Sequence, residues 1–183
     1  TSPSPLSAFL KCGEVSVISS SPERFLHIHD RKAESKPIKG TRPRRNGFFQ
    51  DEAMYFNLLN SEKDRAENVM IVDLVRNDLG RVSETGSVQV HQLFNIEKYT
   101  TVFQMVSTIK SKLNANCSNI DAIKACFPPG SMTGAPKIRA MQIIEELESF
   151  KRGVYSGALG YIGYDGNIDL SVVIRTLVLQ SEK

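Results

Sequence analysis

The chain has 183 residues, which is enough for one domain with a sizeable hydrophobic core. Apolar residues make up 40% and charged residues 23%, as is ordinary for a globular protein, and the net charge is +3. The basic residues are scattered apart from Arg42, Arg44 and Arg45, which argues against a nucleic-acid surface, and no apolar stretch is long enough to cross a membrane.

The residue pattern predicts blocks of strands separated by blocks of helices. In chain order, it predicts strands at 6–10, 15–19 and 25–29 that continue into 37–41 as a meander, helices at 51–59 and 61–78, strands at 88–94 and 101–109, helices at 120–127 and 133–148, and strands at 154–163 and 168–179. Ser61 and Asp64 form the cap of the second helix, and Pro136 fits the first turn of the fourth. The Asp165-Gly166 pair is typical of a hairpin.

The order of these elements predicts the fold class. Strands come in consecutive pairs with helices between them in blocks, which favours an α+β fold over a doubly wound fold. We therefore expect antiparallel β-sheets packed against flanking helices. The sequence has no internal repeat and no low-complexity linker, so residues 1–183 are expected to belong to one domain.

The cysteines and the chain ends bear on the compartment. Cys12, Cys117 and Cys126 are odd in number and lack the spacing of metal ligands, so we expect reduced thiols and a cytoplasmic protein. The first residues lack the basic segment and the apolar core of a signal peptide, and they lack an initiator methionine. Both ends look cut from a longer protein. If the missing N-terminus carries a transit peptide, we expect the protein in an organelle instead.

A lysine in a partly apolar setting is the first candidate for chemistry. Lys39 stands between Ile38 and Gly40, just after Pro37. A lysine that loses its hydration becomes a nucleophilic amine at neutral pH, whereas most exposed lysines are simply solvated. From these residues alone both interpretations stay open.

Two carboxylates on the second predicted helix are the next candidates. Helical spacing places Glu67 on the same face as Met70, Ile71 and Leu74, with Asp64 one turn earlier. A carboxylate on an apolar face needs a basic partner, a hydrogen-bond network or a cation. The pattern indicates equally a structural ion pair with an arginine and a site for Mg²⁺, which prefers oxygen ligands.

Two further segments each allow two interpretations. Glu23 lies at a turn between strands and is either a solvated carboxylate or, if its pKa is raised, a general acid. The segment 130–137 leads from a loop into a helix, where free N–H groups and the hydroxyls of Ser131 and Thr133 can receive an anion. An ordinary capped helix is the alternative.

The last predicted strand carries an arginine in the apolar run 172–177. Arg175 should be buried on at least one face, so its charge would need a carboxylate partner from the protein or from a substrate. Tyr155 is a candidate to present its hydroxyl toward the same place, although most strand tyrosines are packing residues. The sequence does not choose between these partners.

Together and in this order, the segments resemble the chorismate-utilising enzymes, which include synthases of anthranilate, isochorismate, salicylate and aminodeoxychorismate. The matching segments are 19–25, 37–44, 64–81, 102–109, 127–148 and 155–176, which cover nearly the whole chain. The resemblance implies the fold of anthranilate synthase component I. The run Pro37-Ile38-Lys39-Gly40-Thr41 resembles the branch that aminates chorismate to 4-amino-4-deoxychorismate, the precursor of p-aminobenzoate and folate.

The resemblance also implies a role for each candidate. Lys39 is the covalent nucleophile that displaces the 4-hydroxyl of chorismate, Glu23 protonates the departing oxygen, and ammonia then displaces the lysine. Glu67 is a Mg²⁺ ligand, supported by Asp64. The residues that contact the substrate are Gly40, Thr41, Thr133, Gly134, Tyr155 and Arg175, of which the last two bind the pyruvyl carboxylate. Ammonia comes from a glutamine amidotransferase subunit or fused domain, which nothing in this chain resembles.

Three departures from the family pattern keep alternatives open. The N-terminal region is absent, and so are the glycine-rich turn and the helix that carries a second metal-binding glutamate. Gln104 stands where many relatives have a histidine that serves aromatisation in anthranilate-forming relatives. Anthranilate-forming relatives also carry a small apolar residue at the position of Lys39. Lys39 and Gln104 therefore both argue against the runner-up, an anthranilate synthase component I. The alternative of another class is a truncated, non-catalytic relative that only binds the glutaminase.

Overall fold

The computed structural model describes residues 4–180, which contain ten strands and four helices. The strands are β1 (Leu6–Cys12), β2 (Val15–Ser21), β3 (Arg24–His29), β4 (Lys32–Lys36), β5 (Ile38–Pro43), β6 (Gln89–Lys98), β7 (Val102–Lys112), β8 (Ala158–Ile162), β9 (Ile168–Val172) and β10 (Thr176–Gln180). The helices are α1 (Phe48–Leu59), α2 (Glu62–Gly80), α3 (Asn119–Cys126) and α4 (Lys137–Leu147), and a 3-10 turn, Gly130–Met132, precedes α4. Within the described residues, no helix combines the length and the apolar character needed to span a membrane.

The strands form two sheets in which every pairing is antiparallel. A small sheet has the strand order β1-β2-β10. A large sheet has the order β5-β7-β4-β3-β9-β8, and β6 pairs with β7 along its other edge. Antiparallel sheets with flanking helices are what the sequence predicted, so the α+β class is confirmed.

The main hydrophobic core lies between helix α2 and one face of the large sheet. Its fully buried large side chains include Leu26, Ile28, Leu79, Ile109, Leu113 and Ile168. Burial of one such side chain is worth about 1.5–3 kcal/mol, so this core holds α2 firmly on the sheet. Helix α2 begins after Ser61, whose hydroxyl accepts the Asp64 N–H at 3.3 Å, as the predicted cap requires. The first turns of α2 lie against strand β5, where Gly40 approaches Asp64.

The predicted β-meander is wrong in two respects. Strands β1 and β2 belong to the small sheet whereas β3 belongs to the large one, and the chain crosses between them at Pro22 and Glu23. Strand β4 was not predicted, because its alternating polar side chains give little apolar signal. It follows β3 through a two-residue turn at Asp30 and Arg31, which have φ values of +47° and +61°. The crossing places Glu23 at the junction of the two sheets.

Three predicted elements in the C-terminal half have different bounds. Residues 168–179 do not form one strand, because Arg175 has a φ of +49° and turns the chain from β9 in the large sheet to β10 in the small one. A turn over 153–156 and a bend at 157 precede β8, so only Ala158–Ile162 of the predicted 154–163 strand is a strand. The last helix begins at Lys137 rather than at 133, because a proline disfavours the helical conformation in the residue before it, here Ala135. The placement of Pro136 in the first turn is therefore wrong, since Pro136 is the N-cap and has an extended ψ of 137°.

Candidate active site

Strand β5 presents Lys39, Gly40 and Thr41 at the edge of the large sheet. Gly40 has a φ of +89°, and a Cβ atom at this position would lie 2.9 Å from Cβ of Asp64 and 2.9 Å from Cδ1 of Leu58. Only glycine combines this backbone conformation with so close an approach. The glycine of the Lys-Gly-Thr run therefore allows β5 to lie directly on helix α2.

Arg42 fastens the same strand to both neighbouring helices. Its guanidinium donates to Oδ2 of Asp64 on α2 at 2.9 Å and to Oδ1 of Asn57 on α1 at 2.6 Å. It also donates to the Thr41 carbonyl at 3.0 Å. Charge-assisted hydrogen bonds of this kind are stronger than neutral ones, so the backbone of Lys39–Thr41 is held in a fixed position.

The Lys39 amine is directed at the loop between α3 and α4. Nζ donates to the Ser131 carbonyl at 3.2 Å, and the lysine is half-buried. Ser131 lies in the 3-10 turn, and its hydroxyl is buried without a hydrogen bond of regular geometry to any residue from 4 to 180. The two residues are 92 positions apart in the chain, so only the tertiary structure brings them together.

Glu23 is a buried carboxyl beside Lys39 and Ser131. It is 6% exposed, and this burial raises its pKa from 4.5 to about 7. The Ser131 hydroxyl, the charge of Lys39 and the Ile38 amide act in the opposite direction. Glu23 and Asp78 line the same cavity of about 20 Å³, which has room for about one water molecule. The interpretation of Glu23 as a solvated carboxylate is wrong, and its pKa suits a proton donor at neutral pH.

Thr133 and Gly134 follow the Ser131 turn and do not begin a helix. The N–H and the hydroxyl of Thr133 lie 3.3 and 3.4 Å from the Gly130 carbonyl. Gly134 has a φ of +142°, and helix α4 starts three residues later without a side-chain cap. The predicted helix start at Thr133 is therefore wrong, and anion binding at this segment stays a prediction.

The two candidate carboxylates of α2 have different environments. The side chain of Asp64 is 14% exposed and forms an ion pair with Arg42 at 2.9 Å. The side chain of Glu67 is 44% exposed, and its ion pair with Lys63 is long, at 3.9 Å. Asp64 thus forms the arginine ion pair that the sequence left open, whereas Glu67 keeps its oxygen atoms accessible. Those oxygens suit Mg²⁺, although residues 4–180 contain no cluster of three acidic, histidine or cysteine side chains able to hold a metal ion.

Arg175 and Tyr155 are more exposed than the sequence predicted. The expected burial of Arg175 is wrong because the residue lies in the turn between β9 and β10, where its carbonyl accepts the Ser20 N–H at 3.1 Å. Its side chain forms no hydrogen bond or ion pair with any other residue between 4 and 180. Tyr155 is 50% exposed, and its ring lies 5.7 Å from the Arg152 guanidinium. Both side chains are open to a ligand.

Arg152 is a residue that sequence reasoning missed. Its guanidinium donates to the Met132 carbonyl at 3.2 Å and to the Ser156 hydroxyl at 3.1 Å, so it joins the 3-10 turn to the segment that carries Tyr155. The only sequence signal was a basic residue close to Tyr155. Gln104 lies opposite Thr41 across β5 and β7 and is 2% exposed.

The structure thus brings some of the predicted site residues together and leaves others apart. Glu23 and Lys39 meet at Ser131, and Gly40 packs against the first turn of α2. Tyr155 is connected through Arg152 to the 3-10 turn that contains Ser131. Arg175 stands on a separate, exposed turn.

Comparison with known proteins matches the whole chain. Residues 1–183 match the family described as chorismate binding enzyme. The chain is 58% identical to a protein named aminodeoxychorismate synthase from Streptomyces pristinaespiralis, covering 99% of this chain and 25% of that protein. It is 46% identical to anthranilate synthase component 1 from Aquifex aeolicus (strain VF5), covering 96% of this chain and 36% of that protein.

The fold also matches a solved structure. Anthranilate synthase component I from Streptococcus pneumoniae TIGR4 superposes with a TM-score of 0.88 at 41% identity, covering 98% of this chain and 39% of that one. The fold that the sequence predicted is confirmed. The chain spans between a quarter and two-fifths of the length of these proteins.

Proposed function

This chain belongs to the chorismate binding enzymes, and we propose that it forms the catalytic core of an enzyme that converts chorismate to 4-amino-4-deoxychorismate. The observation that carries the proposal is the meeting of Lys39 and Glu23 at Ser131. An amine that hydrogen-bonds to the Ser131 carbonyl lies beside a buried carboxyl whose pKa is about 7. A lysine in this position is what the resemblance to the aminating branch implies.

The two groups would divide one difficult substitution into two easier steps. The unprotonated Lys39 amine attacks the chorismate ring, a C–N bond forms, and the bond between the ring and the 4-hydroxyl breaks. Glu23 gives its proton to the departing oxygen, which leaves as water, because hydroxide is a poor leaving group. Ammonia then forms its own C–N bond to the ring and displaces the Lys39 amine. The ammonium group of the product returns one proton to the Glu23 carboxylate.

Substrate contacts would come from residues outside this pair. The residues proposed for them are Gly40, Thr41, Thr133, Gly134, Tyr155 and Arg175. Arg175 and Tyr155 are exposed, which supports a role in binding the pyruvyl carboxylate of chorismate. A planar guanidinium suits a carboxylate because it can donate two parallel hydrogen bonds.

Glu67 is the residue that would hold Mg²⁺. Its accessible carboxylate and its long ion pair with Lys63 support this assignment. When bound, the ion would supply positive charge opposite a substrate carboxylate, which could complete a coordination sphere that one protein ligand leaves open. Asp64 would support the site indirectly, because its ion pair with Arg42 holds α2 against β5.

The proposed source of ammonia is a glutamine amidotransferase, present as a partner subunit or as a fused domain. Two of the relatives are named as component 1 or component I of a synthase, which supports a second component for this protein. The proposed location is the cytoplasm. The three cysteines are all unpaired, as is usual in a reducing compartment.

Formation of anthranilate is the second candidate function, because the Aquifex aeolicus relative carries that name at 46% identity. Both reactions would begin from chorismate and ammonia, and they differ in the product. Lys39 and Gln104 favour the first candidate, since the resemblance implies a small apolar residue and a histidine at these positions in anthranilate-forming relatives.

The test is a product assay on the full-length protein with chorismate, Mg²⁺ and ammonium, read by mass spectrometry. Wild type should form aminodeoxychorismate, whereas Lys39→Ala should form none. Lys39→Arg keeps a cationic donor for the Ser131 carbonyl but lacks the amine nucleophile, so it should also be inactive. Exposed Lys11→Ala serves as the control.

The outcomes separate the candidates. Turnover by Lys39→Ala at the wild-type rate would refute the covalent lysine. Anthranilate as the product would favour the second candidate, and no product from wild type would favour a non-catalytic protein. Without ammonium, wild type should also accumulate a covalent adduct with the mass of chorismate less one water, which Lys39→Arg should not form.

A further inference from the structure

A second lysine, Lys137, is mostly shielded from water at the start of helix α4, and all of its donors are occupied. Its Nζ lies 2.5 Å from Oδ2 of Asp78 and donates to the carbonyls of Cys126 and Pro128, both at 2.9 Å. An ammonium group has three N–H donors, so none is left for water or a ligand. The side chain is only 13% exposed. Lys137 is therefore built into the structure and does not belong to the predicted substrate contacts.

Asp78 is the residue of helix α2 that binds the Lys137 ammonium group. It lies on α2, its side chain is 7% exposed, and its second oxygen accepts from Arg81 at 2.9 Å. Arg81 also donates to the Ala125 carbonyl. A buried charge is costly unless it is paired and hydrogen-bonded, and here both carboxylate oxygens are bound. Asp78, Lys137 and Arg81 thus connect α2 to the backbone that leaves α3.

The segment held in this way leads directly to the Ser131 turn. Pro128 is bound by Lys137, and Gly130 lies so close to α2 that a Cβ atom there would overlap Cδ2 of Leu74 at 2.4 Å. At the far side of the turn, Arg152 binds the Met132 carbonyl at 3.2 Å. Ser131 lies between these contacts, and its carbonyl accepts a hydrogen bond from the Lys39 amine.

We propose that Lys137, held by Asp78, is a positioning residue that fixes the Ser131 turn on helix α2 and so holds the Lys39 amine beside Glu23. None of the three hydrogen bonds of the Lys137 ammonium group goes to Lys39 or to a predicted substrate contact, so Lys137 would act through the backbone that it binds. This inference rests on the proposed function, since the position of Lys39 matters for turnover only if Lys39 acts on chorismate.

Two variants of the full-length protein test the proposal. Lys137→Met removes the three donors and leaves Asp78 paired with Arg81 alone. The double variant Asp78→Asn/Lys137→Met also removes the buried negative charge, so it keeps the test valid if the single variant fails to fold. Lys124→Met, which removes an exposed lysine from α3, is the matched control.

The kinetic readout compares the change in kcat with the change in KM for each variant. A reactive group displaced by about 1 Å can lose about 100-fold in rate, so kcat for aminodeoxychorismate should fall by about that factor in both variants. KM for chorismate should change by less than about threefold, because the proposed substrate contacts remain. A general loss of folded protein would instead lower the active fraction in proportion to the loss of circular dichroism.

The second readout is amide hydrogen exchange, which does not depend on activity. The N–H groups of Met132 and Thr133 are bonded within the turn, to Pro129 and Gly130. In both variants these amides should exchange at least about tenfold faster, while the amide of Leu79 in the core keeps its wild-type rate.

Three results would overturn the proposal. They are a double variant with wild-type kcat, unchanged exchange at Met132 and Thr133, or exchange that accelerates equally at Leu79. If wild type forms no product, the proposed function fails, whereas the exchange measurement still decides whether Lys137 holds the turn. The two failures are therefore distinguishable.

Discussion

Replacing Glu23 with glutamine should stabilise the protein at neutral and alkaline pH and change its stability little in acid. Folding moves this carboxyl from water into a site where it is 6% exposed, and its pKa rises from 4.5 to about 7. At a pH between these two pKa values, the Glu23 carboxyl keeps its proton in the folded protein and releases it in the unfolded chain. The free energy of unfolding of the wild type therefore falls as pH rises through this interval.

The size of the effect follows from the same two values. One pKa unit corresponds to about 1.4 kcal/mol, so the interval from 4.5 to about 7 corresponds to a penalty of about 3 kcal/mol. Below pH 4.5 both states hold the proton and the penalty is absent. Above pH 7 both states are ionised and it is complete. Glutamine has nearly the same shape and no charge at any pH, so Glu23→Gln avoids the penalty.

The assay is urea unfolding of wild type and Glu23→Gln at several values from pH 4.5 to pH 8. Circular dichroism is the suitable signal because the chain has no tryptophan. The difference in unfolding free energy should grow with pH, with an unchanged dependence on urea concentration. Glu52→Gln removes an exposed carboxylate from α1 and supplies the baseline. A difference that stays within about 0.5 kcal/mol across this range would refute the raised pKa of Glu23.

Two further substitutions test the contacts of β5 and α2. Gly40→Ala should lower the free energy of unfolding by about 2 kcal/mol more than Gly13→Ala in thermal or urea unfolding, since both glycines have positive φ but only Gly40 faces close neighbours. Equal losses would show that the approach to α2 is not tight. In calorimetric titrations of the full-length protein, Glu67→Ala should lower by about tenfold the factor by which Mg²⁺ increases the affinity for chorismate. Glu62→Ala, which removes an exposed carboxylate, is the control. The same Mg²⁺ dependence in both variants would remove Glu67 from the metal site.

Sequence reasoning succeeded where the signal is local. The cap at Ser61, the long helix that follows it and the two strands β6 and β7 were predicted near their observed bounds, because each depends on residues close together in the chain. It failed for β4, whose polar alternation hides a strand, and for residues 168–179, where one left-handed residue, Arg175, moves the chain into another sheet. A single backbone angle of this kind leaves no trace in an apolar pattern.

From the sequence by itself, the order of elements determined the α+β class, and the resemblance of its short motifs to the chorismate-utilising enzymes indicated the family. The same motifs singled out Lys39 and Glu23 as candidates. Only the tertiary structure decided that Glu23 is withdrawn from water and that Lys39 reaches the Ser131 carbonyl. It also decided that Asp64 forms an ion pair with Arg42, whereas the carboxylate of Glu67 remains accessible. The physical reason is that desolvation and ion pairing depend on groups supplied by other parts of the chain, whose positions are set by packing of α2 against the sheet.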